Sequence, residues 1–361
     1  MARRSSVERA CELHERAVAL RAAGRADAAC RAAREAIAIF RRVDGPRSPD
    51  AANVLLELSA GQADLALYGR ALGSARRAWT ILRTLRGGED LARLKANALG
   101  RLAAVHVVRG EYAEARRVQL RALAQAEKLG EADLMGALNG LGIVGKFTAR
   151  WAEASRSYRR ALAIGERLYG RRALQLTALL HNLGGLEHAR GRFSRGIGFA
   201  RRGLAIRERA LGKHHPDVAA DVAALGALLD GCRRHDEAAR LYRRALKTYL
   251  RVFGKGHFEV GFNLSNLAAL EQQRGRLVQA ERLHARALPV LRRALGAAHP
   301  FVAQATHNFG LLRHEQGRHR EAERLLATAS KLFTRTLGRS HPDSRACEES
   351  LALVRSAHAP T

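Results

Sequence analysis

The sequence predicts an all-α solenoid, a stack of helical hairpins, and three observations predict it. Gly170, Gly212, Gly254, Gly296 and Gly338 stand in steps of 42 residues, each in similar surroundings. A fixed period of that length marks a repeat architecture, in which each unit buries its apolar face only against its neighbours. Within a period, apolar residues recur at i, i+3 and i+6 or i+7 on both sides of a Gly-containing break. Leu180, Leu183 and Leu186 precede Gly191, and a second run ends at Leu211. That pattern is two amphipathic helices joined by a tight turn. Hydrophobic residues make up 47% of the 361 positions but aromatics only 5%, which suits helices packed through Ala and Leu rather than sheets rich in Val, Tyr and Trp. A continuous repeat makes residues 1–361 one elongated domain rather than several globular ones.

Each element has its own signal. Hairpin turns are marked by Gly24-Arg25, Gly191-Arg192, Gly275-Arg276 and Gly317-Arg318, because glycine accepts the left-handed conformation that ends a helix. A small residue follows at a constant offset: Ala29, Ala71, Ala115, Ala154, Gly196, Ala238, Ala280 and Ala322. Seven residues on come Ala36, Ala78, Ala122, Ala161, Gly203, Ala245, Ala287 and Ala329. Side chains no larger than methyl let paired helices approach closely, so about eight hairpins are expected. Between hairpins, Ser48-Pro49-Asp50, His215-Pro216-Asp217, His299-Pro300 and His341-Pro342-Asp343 mark helix starts. Proline costs no hydrogen bond at the first helical position, and a following acid suits the positive helix end. Residues 342–357 read as one unpaired helix capping the last apolar face.

Two departures are expected. Ala122 and Ala161 are 39 residues apart, and the unit around Gly100 to Gly110 is read as three residues longer in its first helix or turn. Pro289 falls inside a second helix, which it should bend or break at a cost of roughly 3 kcal/mol unless compensated. Gly184, Gly196, Gly198 and Gly203, gathered in one hairpin, suggest that the middle of the stack is its least stable part.

Lys and Arg number 63 against 34 Asp and Glu, a formal net charge of +29. Such a field attracts acidic protein segments, nucleic acid or anionic lipid without selecting among them, and an Arg- and Ala-rich coding composition accounts for it equally well. Cys11, Cys30, Cys232 and Cys347 lie far apart with no CxxC pair, which suggests neither a zinc site nor a disulfide framework. The basic N-terminus leads straight into an amphipathic pattern, and no stretch approaches 18 uninterrupted apolar residues. A soluble cytoplasmic protein without membrane insertion is expected. None of the 15 histidines sits in HExxH, and no phosphate loop, GxSxG elbow or kinase signature is present. No catalytic residue, metal or cofactor is therefore assigned, and the chain reads as a non-enzyme.

With these residues in view, the chain resembles the tetratricopeptide repeat (TPR) family. The family's Leu-Gly pair stands at Leu141-Gly142, Leu183-Gly184 and Leu225-Gly226, becomes Phe309-Gly310, and softens to Leu267-Ala268 and Leu102-Ala103. Its aromatic, three residues before the second small position, is Tyr158 and Tyr242 but His284 and Leu326 elsewhere. The longer period and the Leu-Gly-x-x-His-Pro connector are similar to the kinesin-light-chain type. Residues 131–341 match well; residues 7–130 are divergent repeats that have lost the His-Pro signal. The resemblance implies a right-handed superhelix whose first helices line a concave groove, and an adaptor that holds extended peptides or partner proteins, sometimes through a groove asparagine.

Asn182, Asn266 and Asn308 occupy one equivalent position, interrupted by Ala224, and an amide offers donors and an acceptor to a peptide unit of any sequence. The same alignment puts His181, His188, Ser265, Gln272, Gln273, His307, His314 and Phe262 in the groove, with Arg101, Asn139 and Lys146 towards the N-terminus. The set is polar and partly cationic, so an extended peptide with acidic side chains is the expected ligand. A second set, Arg76-Arg77, Arg159-Arg160, Arg201-Arg202 and Arg243-Arg244, recurs in the second helix, the last three pairs spaced by 42. It predicts a stripe of guanidinium groups able to meet carboxylates or phosphates. A nucleic-acid or other polyanion partner is the less favoured alternative, because base-stacking aromatics are few. A solvated face partly neutralised by Glu166 and Glu208 explains the stripe without any partner. A third possibility is a ligand-sensing module that docks to a signalling enzyme.

Overall fold

The computed structural model describes residues 2–65 and 67–357. Among them lie seventeen α-helices, one 3-10 turn and no strand. In chain order the first eight are α1 (Ala2–Ala22), α2 (Ala26–Asp44), α3 (Pro49–Asp64), α4 (Tyr68–Leu82), α5 (Glu89–Val108), α6 (Tyr112–Ala126), α7 (Glu131–Phe147) and α8 (Trp151–Tyr169). After the 3-10 turn Leu174–Leu176 come α9 (Thr177–Ala189), α10 (Phe193–Leu211), α11 (Pro216–Gly231), α12 (His235–Phe253) and α13 (Phe258–Gln273). The chain closes with α14 (Leu277–Leu295), α15 (Pro300–Glu315), α16 (His319–Leu337) and the unpaired α17 (Pro342–Ser356). Eight hairpins and a final single helix make an all-α solenoid.

Packing divides the chain into two compact units. One runs to Val144 and includes Arg156–Arg171; the other comprises Gly145–Ser155 and the described residues from Arg172 onward. In the first unit α1 pairs with α2, α3 with α4 and α5 with α6, while α2 packs on α3 and α4 on α5. In the second, α9 to α16 form four hairpins, each second helix packing on the next first helix, and α16 lies against α17. First helices also touch one another in series: α9 with α11, α11 with α13, α13 with α15 and α15 with α17.

The close approach within hairpins comes from the small positions. Their alanines are none of them more than 2% exposed, and the glycines that replace them have no space to spare. A methyl on Gly203 would stand 3.2 Å from Leu180 Cβ, and one on Gly196 would overlap Leu228. The Leu-Gly glycines make room for the aromatic of the partner helix. Gly142 faces the ring of Tyr158, and a methyl on Gly226 would stand 3.1 Å from a ring carbon of Tyr242. Both tyrosines are buried.

Second helices end where Gly170, Gly212, Gly254, Gly296 and Gly338 take φ of 82, 79, 77, 87 and 85°. The backbone also turns left-handed at the hairpin breaks, and there two positions in register with Gly191, Gly275 and Gly317 are not glycine: Ala149 (φ 55°) and Arg233 (φ 60°). First helices begin under side-chain caps. Ser48 Oγ accepts the amide of Ala51 at 3.1 Å. In the later connectors, histidine takes that role: Nδ1 of His215, His257, His299 and His341 accepts the amide two residues on, at 3.2, 3.3, 3.1 and 3.2 Å. An imidazole can do so only with its proton on Nε2. The connector at His257 has no proline, yet its histidine caps α13 all the same.

Two local expectations are corrected. Pro289 does not break α14, which runs through all 19 residues, the length of α10, α12 and α16. Pro289 and Ala285, whose carbonyl it leaves without a donor, are both exposed, so the lost hydrogen bond falls on the solvent-facing side of the helix rather than in the core. The 39-residue spacing comes from a short second helix: α6 has 15 residues where its later counterparts have 19. Its own first helix, α5, has 20 residues against 16 in α3 and α11.

Candidate functional site

The second unit carries all three asparagines of the predicted row. Asn182 on α9, Asn266 on α13 and Asn308 on α15 are half-buried, so none is sealed in the apolar core. Gln304 Nε2 donates to Asn308 Oδ1 at 2.9 Å. The Asn266 amide makes no hydrogen bond to any described residue. A half-exposed amide on a rigid helix can hold a peptide unit without unmaking an existing bond.

Several predicted neighbours have partners within the scaffold. His181 Nδ1 lies 2.8 Å from Asp221 Oδ1 on α11, and Arg207 of α10 reaches the other oxygen at 2.9 Å. Asp221 is 2% exposed, so this network ties α9, α10 and α11 together at a buried carboxylate. His307 Nε2 meets Ser350 Oγ at 3.1 Å and joins α15 to α17 in the same way; burial lowers its pKa. His314 Nδ1 is 3.0 Å from His319 Nδ1 across a hairpin turn. His188 sets its ring edge-on to Phe193, centroids 5.3 Å apart, at the corresponding turn. Asp230 and His235 pair there at 3.0 Å in the hairpin between. Ser265 is only 6% exposed and belongs to the packed side of α13. Gln272 and Gln273 end α13, the first half-buried and the second exposed.

Arg101 and Asn139 lie in the first unit, both half-buried. Burial, then the neighbouring charge of Arg21, lowers the Arg101 guanidinium's pKa. Arg21 itself pairs with Glu57 at 2.5 Å and with Asp64 at 3.6 Å.

Lys146 belongs to the second unit, at the end of α7, and has different surroundings. Its Nζ stands 4.5 Å from the centroid of the Phe147 ring. Burial lowers its pKa to about 8. The Phe147 ring lies 6.3 Å from Phe301 at the start of α15, and Phe301 lies 5.2 Å from Phe262 on α13. Phe262 was among the residues that the repeat alignment assigned to the groove; Phe147 and Phe301 were not. Glu259, in register with Phe301, is half-buried, and burial, with the Asp217 charge adding, raises its carboxyl to about 7.

On the second helices Arg76, Arg77, Arg159, Arg160, Arg201 and Arg243 are exposed, while Arg202 and Arg244 are half-buried. Part of the stripe is spent between hairpins: Arg244 pairs with Glu208 at 2.5 Å and Arg243 with Glu271 at 3.3 Å. Glu271 is 3% exposed and also meets Arg276 at 3.1 Å. Among the described residues no group of three or more His, Cys, Asp or Glu could hold a metal ion. No helix among them is long and apolar enough to cross a membrane.

Tetratricopeptide repeat profiles match residues 94–167, 174–251 and 260–335, and a second profile of the same description matches 8–50. No curated protein matches the sequence significantly. Among solved structures, a Rap protein complexed with competence and sporulation factor is similar over 97% of this chain and 98% of its own, at 12% identity and a TM-score of 0.64. NprR in complex with its cognate peptide NprX is similar over 82% of this chain and 84% of its own, at 13% identity and a TM-score of 0.61. TPR-like repeats named for kinesin light chain in Podosopora anserina align with 57% of this chain and 98% of theirs, at 18% identity and a TM-score of 0.44.

Proposed function

The chain belongs to the tetratricopeptide repeat family, and on that premise we propose that it is a cytoplasmic, non-catalytic adaptor that holds an extended, acidic peptide or protein segment along its first helices. The observation that carries this reading is the run of half-buried asparagine amides on α9, α13 and α15, with that of Asn266 making no hydrogen bond to any described residue. Helices fixed by packed alanines hold such amides at set positions, so a ligand backbone meets them without reordering the protein. The Rap and NprR structures are complexes with competence and sporulation factor and with a cognate peptide, and the latter supports a peptide as the ligand class on this scaffold. Net charge of +29 favours an acidic one. The partly protonated Glu259 opposes it less than an ordinary carboxylate would.

The arginine stripe supports a second reading, a polyanion-binding surface, because Arg159, Arg160 and Arg201 are exposed. The pairs from Arg243 to Glu271 and from Arg244 to Glu208 weaken it, since they spend stripe charges on the scaffold. Pull-down from a lysate followed by mass spectrometry tests the first reading. The variant Asn182→Ala/Asn266→Ala/Asn308→Ala is expected to lose partners that the wild type retains, and equal recovery by both would refute the amide row.

A further inference from the structure

From α10 onward each second helix is preceded by an arginine, and in three of the four hairpins that arginine has an acid. Arg234, before α12, meets Glu237 through two hydrogen bonds of 2.6 and 2.8 Å. Arg318, before α16, meets Glu321 in the same way, both bonds at 2.8 Å. Before α14 the corresponding Arg276 reaches Glu271 at 3.1 Å. Before α10 the arginine is Arg192, but the position of Glu237 and Glu321 is held by Arg195. Neither guanidinium makes a hydrogen bond or ion pair with any described residue. Glu187, in register with Glu271, pairs with Arg190 instead, at 3.9 Å. One turn in the row therefore carries two uncompensated cations where its neighbours carry ion pairs.

A second replacement opens space beside them. In the next turn along, Arg274 reaches back from the end of α13 to Asp236 at the start of α12. The two positions 42 residues earlier are Cys232 and Ser194. These short side chains place Sγ 3.5 Å from Oγ and form no charged strut. A cleft of about 540 Å³ lies there, lined by residues 191–195 and 231–232. Phe193 makes its apolar wall: the half-buried ring lies against Gly231, where a methyl would overlap it. The cleft is built from the start of α10 and the end of α11, not from the asparagine positions.

We propose that this cleft binds a small phosphomonoester, Arg192 and Arg195 holding the phosphate and Phe193 the organic group beside it. The two guanidiniums match the roughly two negative charges of a phosphomonoester near pH 7, whereas a carboxylate would leave one cation unanswered. Each guanidinium offers paired N–H donors to phosphate oxygens, and the Ser194 hydroxyl offers another. The volume falls within the range of small-molecule sites, about 300–1,000 Å³, which is more than an inorganic ion fills. Both guanidiniums are exposed, so the phosphate reaches them from solvent without any helix moving, and salt weakens the site.

Isothermal titration calorimetry with phenyl phosphate, inorganic phosphate and benzoate tests the assignment. Wild type is expected to bind phenyl phosphate about tenfold more tightly than either of the others. Arg195→Glu, which restores the pairing seen at Arg234 and Arg318, should lower that affinity about tenfold or more, while its thermal midpoint stays level or rises. Ser194→Asp/Cys232→Arg, which rebuilds the strut of the next turn, should fill the cleft and remove the advantage of phenyl phosphate over inorganic phosphate. Equal affinity of wild type and Arg195→Glu for phenyl phosphate overturns the site, as does a wild type that binds none of the three. Benzoate bound as tightly as phenyl phosphate assigns the uptake to net charge and overturns it too. Binding of a phosphotyrosyl heptapeptide without binding of phenyl phosphate overturns the small-molecule occupant in favour of a modified protein. Each of these failures leaves the groove reading untouched, because no first-helix amide enters the site.

Discussion

His284 shows what one residue does when a repeat departs from its pattern. It stands where Tyr158 and Tyr242 stand in other hairpins, but the facing first-helix residue is Ala268 rather than the glycine that makes room for a tyrosine ring. The smaller imidazole fits, 1% exposed and stacked on Phe309 with centroids 5.4 Å apart. Burial and then the Arg313 charge lower its pKa to about 4 from an ordinary 6.5. The folded pKa is the depressed one, so between these values the unfolded chain takes up a proton that the native state refuses. Stability is therefore lost as pH falls from about 6.5 towards 4, by a total of order 3 kcal/mol from this group alone. Denaturant melts of wild type and His284→Met between pH 7 and pH 4 should show a shallower loss in the variant. Parallel profiles would mean that His284 is not kept neutral by the fold.

At the scale of the element, the hairpin turn is a device repeated with uneven sequence. Glycine supplies the left-handed residue at Gly191, Gly275 and Gly317, but Ala149 and Arg233 take the same conformation with a β-carbon in place. That conformation costs an L-residue roughly 1–2 kcal/mol. Part of the gain from a glycine there is offset by the greater freedom of the unfolded chain. Arg233→Gly is expected to stabilise the protein by about 0.5–1 kcal/mol, seen as a raised midpoint in urea with an unchanged slope. A lower midpoint would indicate that the Arg233 side chain contributes more than its backbone costs. Helix starts show the same economy, since one connector position supplies four histidine caps. The proline beside three of them reinforces a start that His257 makes without it.

Over the whole molecule, the fold was legible because the sequence repeats its punctuation. Small residues, terminal glycines and His-Pro connectors each report one local event, and a period of 42 turns those events into hairpins. Less of the candidate site could be read, for physical reasons visible in particular residues. Register put Asn182, Asn266 and Asn308 on half-exposed positions but could not tell that His181 is engaged by Asp221. That partner lies 40 residues on, an offset that the period itself makes plausible once known. Pairs such as His314 with His319 signalled a turn contact five residues apart that the repeat alignment had passed over. Phe147 meeting Phe301 is a contact between distant helices that no period reports. The positive charge was plain in composition, yet which arginines stay free depended on Glu208 and Glu271 reaching across hairpins.

The central claim is that the first-helix face, not the arginine stripe, holds the partner. Ala224, the gap in the asparagine row, is half-buried on α11, and Arg201 is exposed on α10. A photoreactive phenylalanine analogue at each position, irradiated with the captured partner present, compares the two faces most directly. A covalent adduct from position 224 and none from position 201 is the predicted result. Adducts from position 201 alone would contradict the account and assign binding to the stripe.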